Sequence, residues 1–126
     1  MIIGVPTEVK NNENRVGLTP HSVKKIVDSG HDVLIQNNAG ANIGFLNDQY
    51  KNAGAKIIDS AEEVYKSSEM VVKVKEPIPD EYKFLNSDLT LFTYLHQHYF
   101  VLKHHGRNLL FSLLNEALNL LDFHCF

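Results

Sequence analysis

The sequence contains a single cysteine, no tryptophan and no long uninterrupted run of apolar residues. One thiol, Cys125, cannot form a disulfide within the chain, and it suits a reducing compartment such as the cytoplasm. The first residues lack the basic segment and the extended apolar stretch of a secretory signal. The most apolar stretch, residues 109–121, is interrupted by polar side chains and is too short to cross a bilayer. We therefore expect a soluble, cytoplasmic protein.

Neither sign of charge is in large excess. Twelve lysines and arginines stand against 15 acidic residues, which gives a formal net charge of -3 over 126 residues. Such a balance provides no strongly basic surface, so neither nucleic acid nor an anionic membrane is expected as a partner. With 44% hydrophobic residues, a chain of this length forms one domain with a real core and has no room for a separate cofactor domain.

The sequence also lacks the G-x-G-x-x-G fingerprint of dinucleotide-binding loops. Gly40 and Gly44 share one loop, but they have neither that spacing nor a position between a strand and the helix that follows it. We therefore expect no cofactor-binding residues in this chain, and any redox cofactor would have to bind elsewhere.

Short apolar strands alternate with helices along the chain. The predicted strands are the segments IIGV, DVLIQ, KIID, MVVKV and LTLFTYL. Thr19 and Pro20 are typical of a helix start, and Ser60 with Glu63 forms a capping box. This alternation predicts a parallel sheet with right-handed crossovers and helices on both faces. We expect an α/β, Rossmann-like (flavodoxin-like) domain of three layers.

Three polar residues, Arg15, Lys75 and His96, each follow the end of a predicted strand. The carboxyl ends of parallel strands open onto one edge of a sheet, where ligands of open α/β sheets usually bind. An arginine fork, a lysine and a group that titrates near neutral pH would suit a small keto acid or amino acid. The alternative for each residue taken alone is an ordinary surface or structural role.

The composition changes after residue 96, which predicts a division into residues 1–96 and a histidine- and leucine-rich tail, residues 97–126. Residues at helical spacing predict an amphipathic helix in this tail: Leu110, Leu113, Leu114, Ala117 and Leu121. The histidines at 96, 98, 104 and 105 are a possible metal cluster, because His-x-His on a strand places both rings on one face. No acidic or thiol ligand stands nearby, so we expect no metal site.

Several separate motifs give the chain a family resemblance. From Met1 to about His96 it resembles the N-terminal domain of bacterial alanine dehydrogenases. The similar segments are MIIGVPTEVKNNENRVGLTP, the AG-x-x-x-GF loop, YKNAGAKI, MVVKVKEP and LFTYLH. The related transhydrogenase alpha subunits share the opening and the loop, but KVKEP and TYLH favour the alanine dehydrogenases.

The resemblance implies a two-domain, homo-oligomeric NAD enzyme that interconverts L-alanine with pyruvate and ammonium by hydride transfer. By the same resemblance, Arg15 binds the substrate carboxylate, and Lys75 contacts the carboxylate and the carbonyl. His96 corresponds to the proposed acid/base or carbonyl-polarising histidine. The family's NAD-binding domain lies later in its sequence than the region matched here.

Two interpretations of the tail and two classes of function stay open. The tail departs from the family pattern, which indicates a truncated alanine dehydrogenase with a replaced end or a genuinely divergent last helix. The chain is then either the substrate-binding part of an alanine dehydrogenase, inactive without an NAD domain from another chain, or a non-catalytic orphan domain. The N-terminal domain of a transhydrogenase alpha subunit is a further alternative.

Overall fold

A single mixed sheet with helices forms the domain. The computed structural model describes residues 1–95 and 98–103. The strands are β1 (Ile2–Val5), β2 (Asp32–Gln36), β3 (Lys56–Ile58), β4 (Met70–Lys75), β5 (Thr90–Leu95) and β6 (His98–Lys103). The helices are α1 (Pro20–Asp28), α2 (Asn47–Asn52) and α3 (Ala61–Ser67), with short 3-10 helices at Ala41–Ile43 and Pro79–Phe84.

The strand order is β3-β2-β1-β4-β5-β6, with β1 to β5 parallel and β6 antiparallel to β5. The predicted α/β class and its five parallel strands are confirmed. The order of the parallel strands is that of a Rossmann sheet, whereas the flavodoxin-like variant has the order 2-1-3-4-5. The chain reverses its direction of winding between β1 and β4. Ligands of open α/β sheets bind at such a switch point.

Strand β6 was not predicted. It lies in the segment predicted as a helical tail, and it pairs with β5 from Leu95↔His98 to Thr90↔Lys103. Without β6, β5 would be an edge strand with unpaired N–H and C=O groups, and the pairing with β6 satisfies these groups. The amphipathic helix predicted around residues 110–121 lies outside the described residues. The division at residue 96 stays a prediction.

The predicted helix starts are confirmed at two positions. The Thr19 hydroxyl accepts a hydrogen bond from the Ser22 amide at 3.2 Å, and Pro20 is the first residue of α1. The Ser60 hydroxyl accepts from the Glu63 amide at 3.2 Å at the start of α3. Each cap satisfies an amide that has no partner within its helix.

Two apolar clusters lie on opposite faces of the sheet. One joins the β1 side chain Val5 to Val23 of α1 and Tyr50 of α2. The other joins Val71 of β4 to Tyr65 of α3. Helices therefore cover both faces, as the three-layer prediction requires. None of the helices within the described ranges is long and apolar enough to cross a membrane.

Candidate functional site

Two adjoining pockets lie at the switch point between β1 and β4. The larger, about 550 Å³, is lined by Arg15, Val16, Gly17, Thr19, Ile43, Val72, Lys73, Val74 and Phe92. The other, about 470 Å³, is lined by Lys10, Asn11, Asn12, Glu13, Arg15, Lys75 and Glu76. Arg15 lines both. Their volumes lie in the range of small-molecule sites, about 300–1,000 Å³.

A bulge in β4 determines where Lys75 lies. Val72 pairs with Phe92 and Lys75 with Tyr94, so β4 advances by three residues where β5 advances by two. Because side chains alternate along a strand, the extra residue places Lys75 on the face of Val72. That face carries the loop of Arg15, and Arg15 and Lys75 line the same pocket.

Arg15 is bound by a carboxylate of its own loop. Its Nε and Nη2 donate to Glu13 Oε1 and Oε2, both at 2.8 Å, and its backbone amide donates to Oε1 at 3.0 Å. The Glu13 side chain is only 6% exposed, whereas that of Arg15 is 63% exposed. These hydrogen bonds lower the pKa of Glu13 to about 2, and the nearby Lys75 charge contributes to the lowering.

The low pKa of Glu13 keeps this ion pair intact across the neutral range. Its stabilising effect is present above the ordinary pKa of 4.5 and is lost as the pH falls through about 2. Lys10 forms a further ion pair with Glu76 in the same pocket. Three of the residues that line this pocket are cations and two are carboxylates, and a net charge of +1 in the lining favours an anionic ligand.

A buried ion network is centred on Lys73, which also lines the larger pocket. Its Nζ lies 2.7 Å from Glu81 Oε1 and 3.8 Å from Glu8 Oε2. The Tyr65 hydroxyl donates to Glu81 Oε1 at 3.0 Å. The Lys73 side chain is 1% exposed, and its two carboxylate partners are also buried. Burial raises the pKa of Glu8, although the charge of Lys73 opposes this rise. Burial also raises the pKa of Tyr65.

The two carboxylates of the network also bind backbone amides. Glu8 Oε1 accepts from the Val74 amide at 2.6 Å, and Glu8 Oε2 accepts from the Lys75 amide at 3.3 Å. Glu81 Oε2 accepts from the Ile78 amide at 2.9 Å. The network thus fixes the backbone from the end of β4 to the 3-10 helix that follows it.

The structure brings Arg15 and Lys75 together, while His96 lies outside the described residues. The roles of Glu13 and of the network of Glu8, Lys73 and Glu81 were not predicted from the sequence. One signal was available, because Lys73 interrupts the apolar strand MVVKV, and a buried lysine requires a partner. No group of three metal-ligating side chains forms among residues 1–95 and 98–103.

Gly17, in the β1–α1 connection, packs closely against β4. An added Cβ would lie 2.5 Å from the Val72 carbonyl oxygen, so a larger residue does not fit there. The glycine therefore serves close packing of the loop on β4.

The chain is similar to alanine dehydrogenases. The model of the family "Alanine dehydrogenase/PNT, N-terminal domain" matches residues 4–125. The alanine dehydrogenase of Bacillus subtilis (strain 168) is 54% identical over 96 residues, which are 76% of this chain and 25% of that protein. Alanine dehydrogenase 2 of Staphylococcus aureus (strain USA300) is 51% identical over 96 residues, 76% of this chain and 26% of that protein.

Solved structures of related proteins are also similar to this chain. An L-alanine dehydrogenase superposes with a TM-score of 0.74 at 53% identity, covering 76% of this chain and 26% of that chain. A transhydrogenase from Sinorhizobium meliloti superposes with a TM-score of 0.66 at 24% identity, over 74% and 34% of the two chains, which shows a shared fold. The chain thus spans about a quarter of the length of the alanine dehydrogenases it matches.

Proposed function

Because the chain belongs to the alanine dehydrogenase/PNT N-terminal domain family, we propose that it forms the substrate-binding part of an alanine dehydrogenase. The substrate is pyruvate or L-alanine, and the reaction of the whole enzyme is the NAD-dependent oxidative deamination of L-alanine to pyruvate and ammonium. The observation that carries the proposal is the shared pocket of Arg15 and Lys75 at the switch point of the sheet. The intact enzyme is proposed to be cytoplasmic and homo-oligomeric.

The proposed roles follow from the chemistry of the pocket. Glu13 binds the Nε–Nη2 edge of the Arg15 guanidinium, so the substrate carboxylate is assigned to the Nη1–Nη2 edge, which can also form two parallel hydrogen bonds. Glu13 supports this role because it holds the plane of the guanidinium from within the same loop. Lys75 is assigned to the carboxylate and the carbonyl oxygen. His96, which directly follows β5, is assigned to proton transfer or to polarising the carbonyl.

An orphan domain without catalytic function is the competing proposal, and it would give the same fold. A transhydrogenase alpha subunit is a weaker alternative, since the transhydrogenase match supports the fold alone. Pyruvate binding that depends on Arg15 separates the first proposal from the orphan domain.

We expect Arg15→Lys to weaken pyruvate binding by at least about tenfold, or about 1.4 kcal/mol, because lysine keeps the charge but loses the planar fork. The measurement is titration of the isotope-labelled 126-residue chain with pyruvate, followed by NMR chemical shifts. In a catalytically competent assembly the same change should chiefly raise KM.

Lys24→Met is the control for the Arg15 variant. It removes an exposed cation that pairs with Asp28 on α1 and lines neither pocket. Its pyruvate affinity should equal that of the parent chain. An Arg15→Lys affinity within twofold of the parent value would contradict the proposed role of Arg15.

The 126-residue chain alone is expected neither to bind NAD measurably nor to oxidise NADH with pyruvate and ammonium. Hydride transfer requires the nicotinamide to be held against the substrate, and the sequence contains no G-x-G-x-x-G loop that would bind the phosphates. Calorimetry with NADH and an absorbance assay test this expectation. Saturable NADH binding would overturn it.

A further inference from the structure

We propose that Glu8 is a positioning residue, whose carboxylate holds the bulged end of β4 so that Lys75 faces the pocket of Arg15. This inference rests on the proposed function for the role of Lys75 in binding substrate. The hold of Glu8 on the backbone can be tested without any ligand.

Strand β4 loses its regular pairing toward its carboxyl end. Strands β1 and β4 pair at Ile3↔Met70 and Gly4↔Val71, and no further pair follows. Beyond that point the regular register with β5 is also interrupted, between Val72 and Lys75. The end of β4 therefore needs another partner for its backbone amides, since an unpaired buried amide is costly.

Glu8 provides that partner. It lies three residues beyond β1, and its two carboxylate oxygens accept one hydrogen bond each from the amides of Val74 and Lys75. The Glu8 side chain is 2% exposed, so water does not compete strongly for these bonds. The carboxylate thus bridges β1 and β4 where their backbone pairing has ended.

The bulge has a direct effect on the two lysines at the end of β4. In a regular strand, residues 73 and 75 would lie on the same face. Here Lys73 is buried against Glu81 and lines the larger pocket, whereas Lys75 is half-buried and lines the smaller pocket beside Glu13. A regular β4 would place Lys75 on the face of Lys73, beside Glu81, so the position of Lys75 in the smaller pocket depends on whatever holds the bulge.

A simpler role for Glu8 would be that of counter-charge to Lys73. The distances favour the backbone role, because Lys73 Nζ lies 3.8 Å from Glu8 but 2.7 Å from Glu81. Glu81 is therefore the matched control residue. Both carboxylates are buried beside Lys73, but only Glu8 accepts from the amides of Val74 and Lys75.

The first experiment compares amide hydrogen exchange in the complete chain and in the variants Glu8→Gln and Glu81→Gln. In Glu8→Gln the amides of Val74 and Lys75 should exchange at least about tenfold faster, because the neutral amide group accepts fewer and weaker hydrogen bonds. In Glu81→Gln both amides should keep their parent rates. Equal rates in the two variants would overturn the proposal.

The second experiment measures pyruvate binding by NMR in Glu8→Gln, Lys75→Ala and the double variant. If Glu8 acts through Lys75, Glu8→Gln weakens binding about tenfold in the parent chain and has no further effect when Lys75 is absent. Additive losses would overturn the proposal.

Failure of the proposed function gives a different pattern. Pyruvate affinity would then be insensitive to both Arg15→Lys and Lys75→Ala, and amide exchange alone would decide whether Glu8 holds the bulge. Glu8→Gln leaves the Lys73–Glu81 ion pair in place and should fold. If Glu8→Gln does not fold, the same exchange test uses Glu8→Asp, which keeps the charge but has a shorter side chain.

Discussion

Replacing Lys73 by methionine is expected to lower the free energy of unfolding by about 3–5 kcal/mol, the usual cost of removing one partner from a buried ion pair. The change leaves Glu8 and Glu81 buried together without a cation, although their side chains are 2% and 6% exposed. Domains are typically stable by about 5–15 kcal/mol, so this loss is a large share. Urea unfolding at pH 7, followed by circular dichroism, measures it.

The loss in free energy of unfolding caused by Lys73→Met should become smaller as the pH falls. Burial raises the pKa of Glu8, and loss of the Lys73 charge removes an influence that opposes the rise. A carboxyl whose pKa is raised in the folded state favours folding below its unfolded value of 4.5, and this contribution is lost as the pH rises through the folded value. The stability difference between parent and variant should therefore narrow as the pH falls toward 4.5.

Two controls accompany the Lys73 experiment. Lys24→Met removes an exposed ion pair and should change stability by less than about 0.5 kcal/mol. Adding Glu8→Gln and Glu81→Gln to Lys73→Met removes the unpaired charges and should recover much of the loss. A cost below about 1 kcal/mol for Lys73→Met alone would show that the network is solvated.

The second large effect is expected at His96. For this test, residues 1–96 replace the corresponding segment of the Bacillus subtilis alanine dehydrogenase, which supplies the remainder of an enzyme. His96→Ala in that chimera should lower kcat by about 10²–10⁴-fold, the usual contribution of general acid–base catalysis. KM for pyruvate should change much less, because proton transfer or carbonyl polarisation acts chiefly in the transition state.

His98→Ala, in a chimera extended to residue 103, is the control for His96. His98 is the first residue of β6 and has no role in the family resemblance, so its loss should change little. Steady-state kinetics over pH 6–9 would also show whether a group with an imidazole-like pKa controls the rate. A kcat for His96→Ala within twofold of the parent chimera would refute the assigned role.

Local sequence patterns determined the elements of this protein. The apolar segments IIGV and MVVKV form strands because their side chains are buried, and Thr19 and Ser60 start helices because a hydroxyl can cap the nearest free amides. The alternation of strands and helices was enough to predict a parallel sheet. That in turn placed Arg15 and Lys75 at one edge, where the structure also has them.

Contacts between distant parts of the chain decided how these elements are arranged and which side chains meet. The strand order, the pairing of β6 with β5 and the extra residue in β4 depend on which backbones meet, and periodicity within one segment carries no such information. Glu8 and Val74 are 66 residues apart in sequence, so only folding can bring that carboxylate to the bulge. Tertiary structure alone therefore decided that Lys73 is buried in an ion network while Lys75, two residues later, is half-buried in the pocket lined by Glu13 and Arg15.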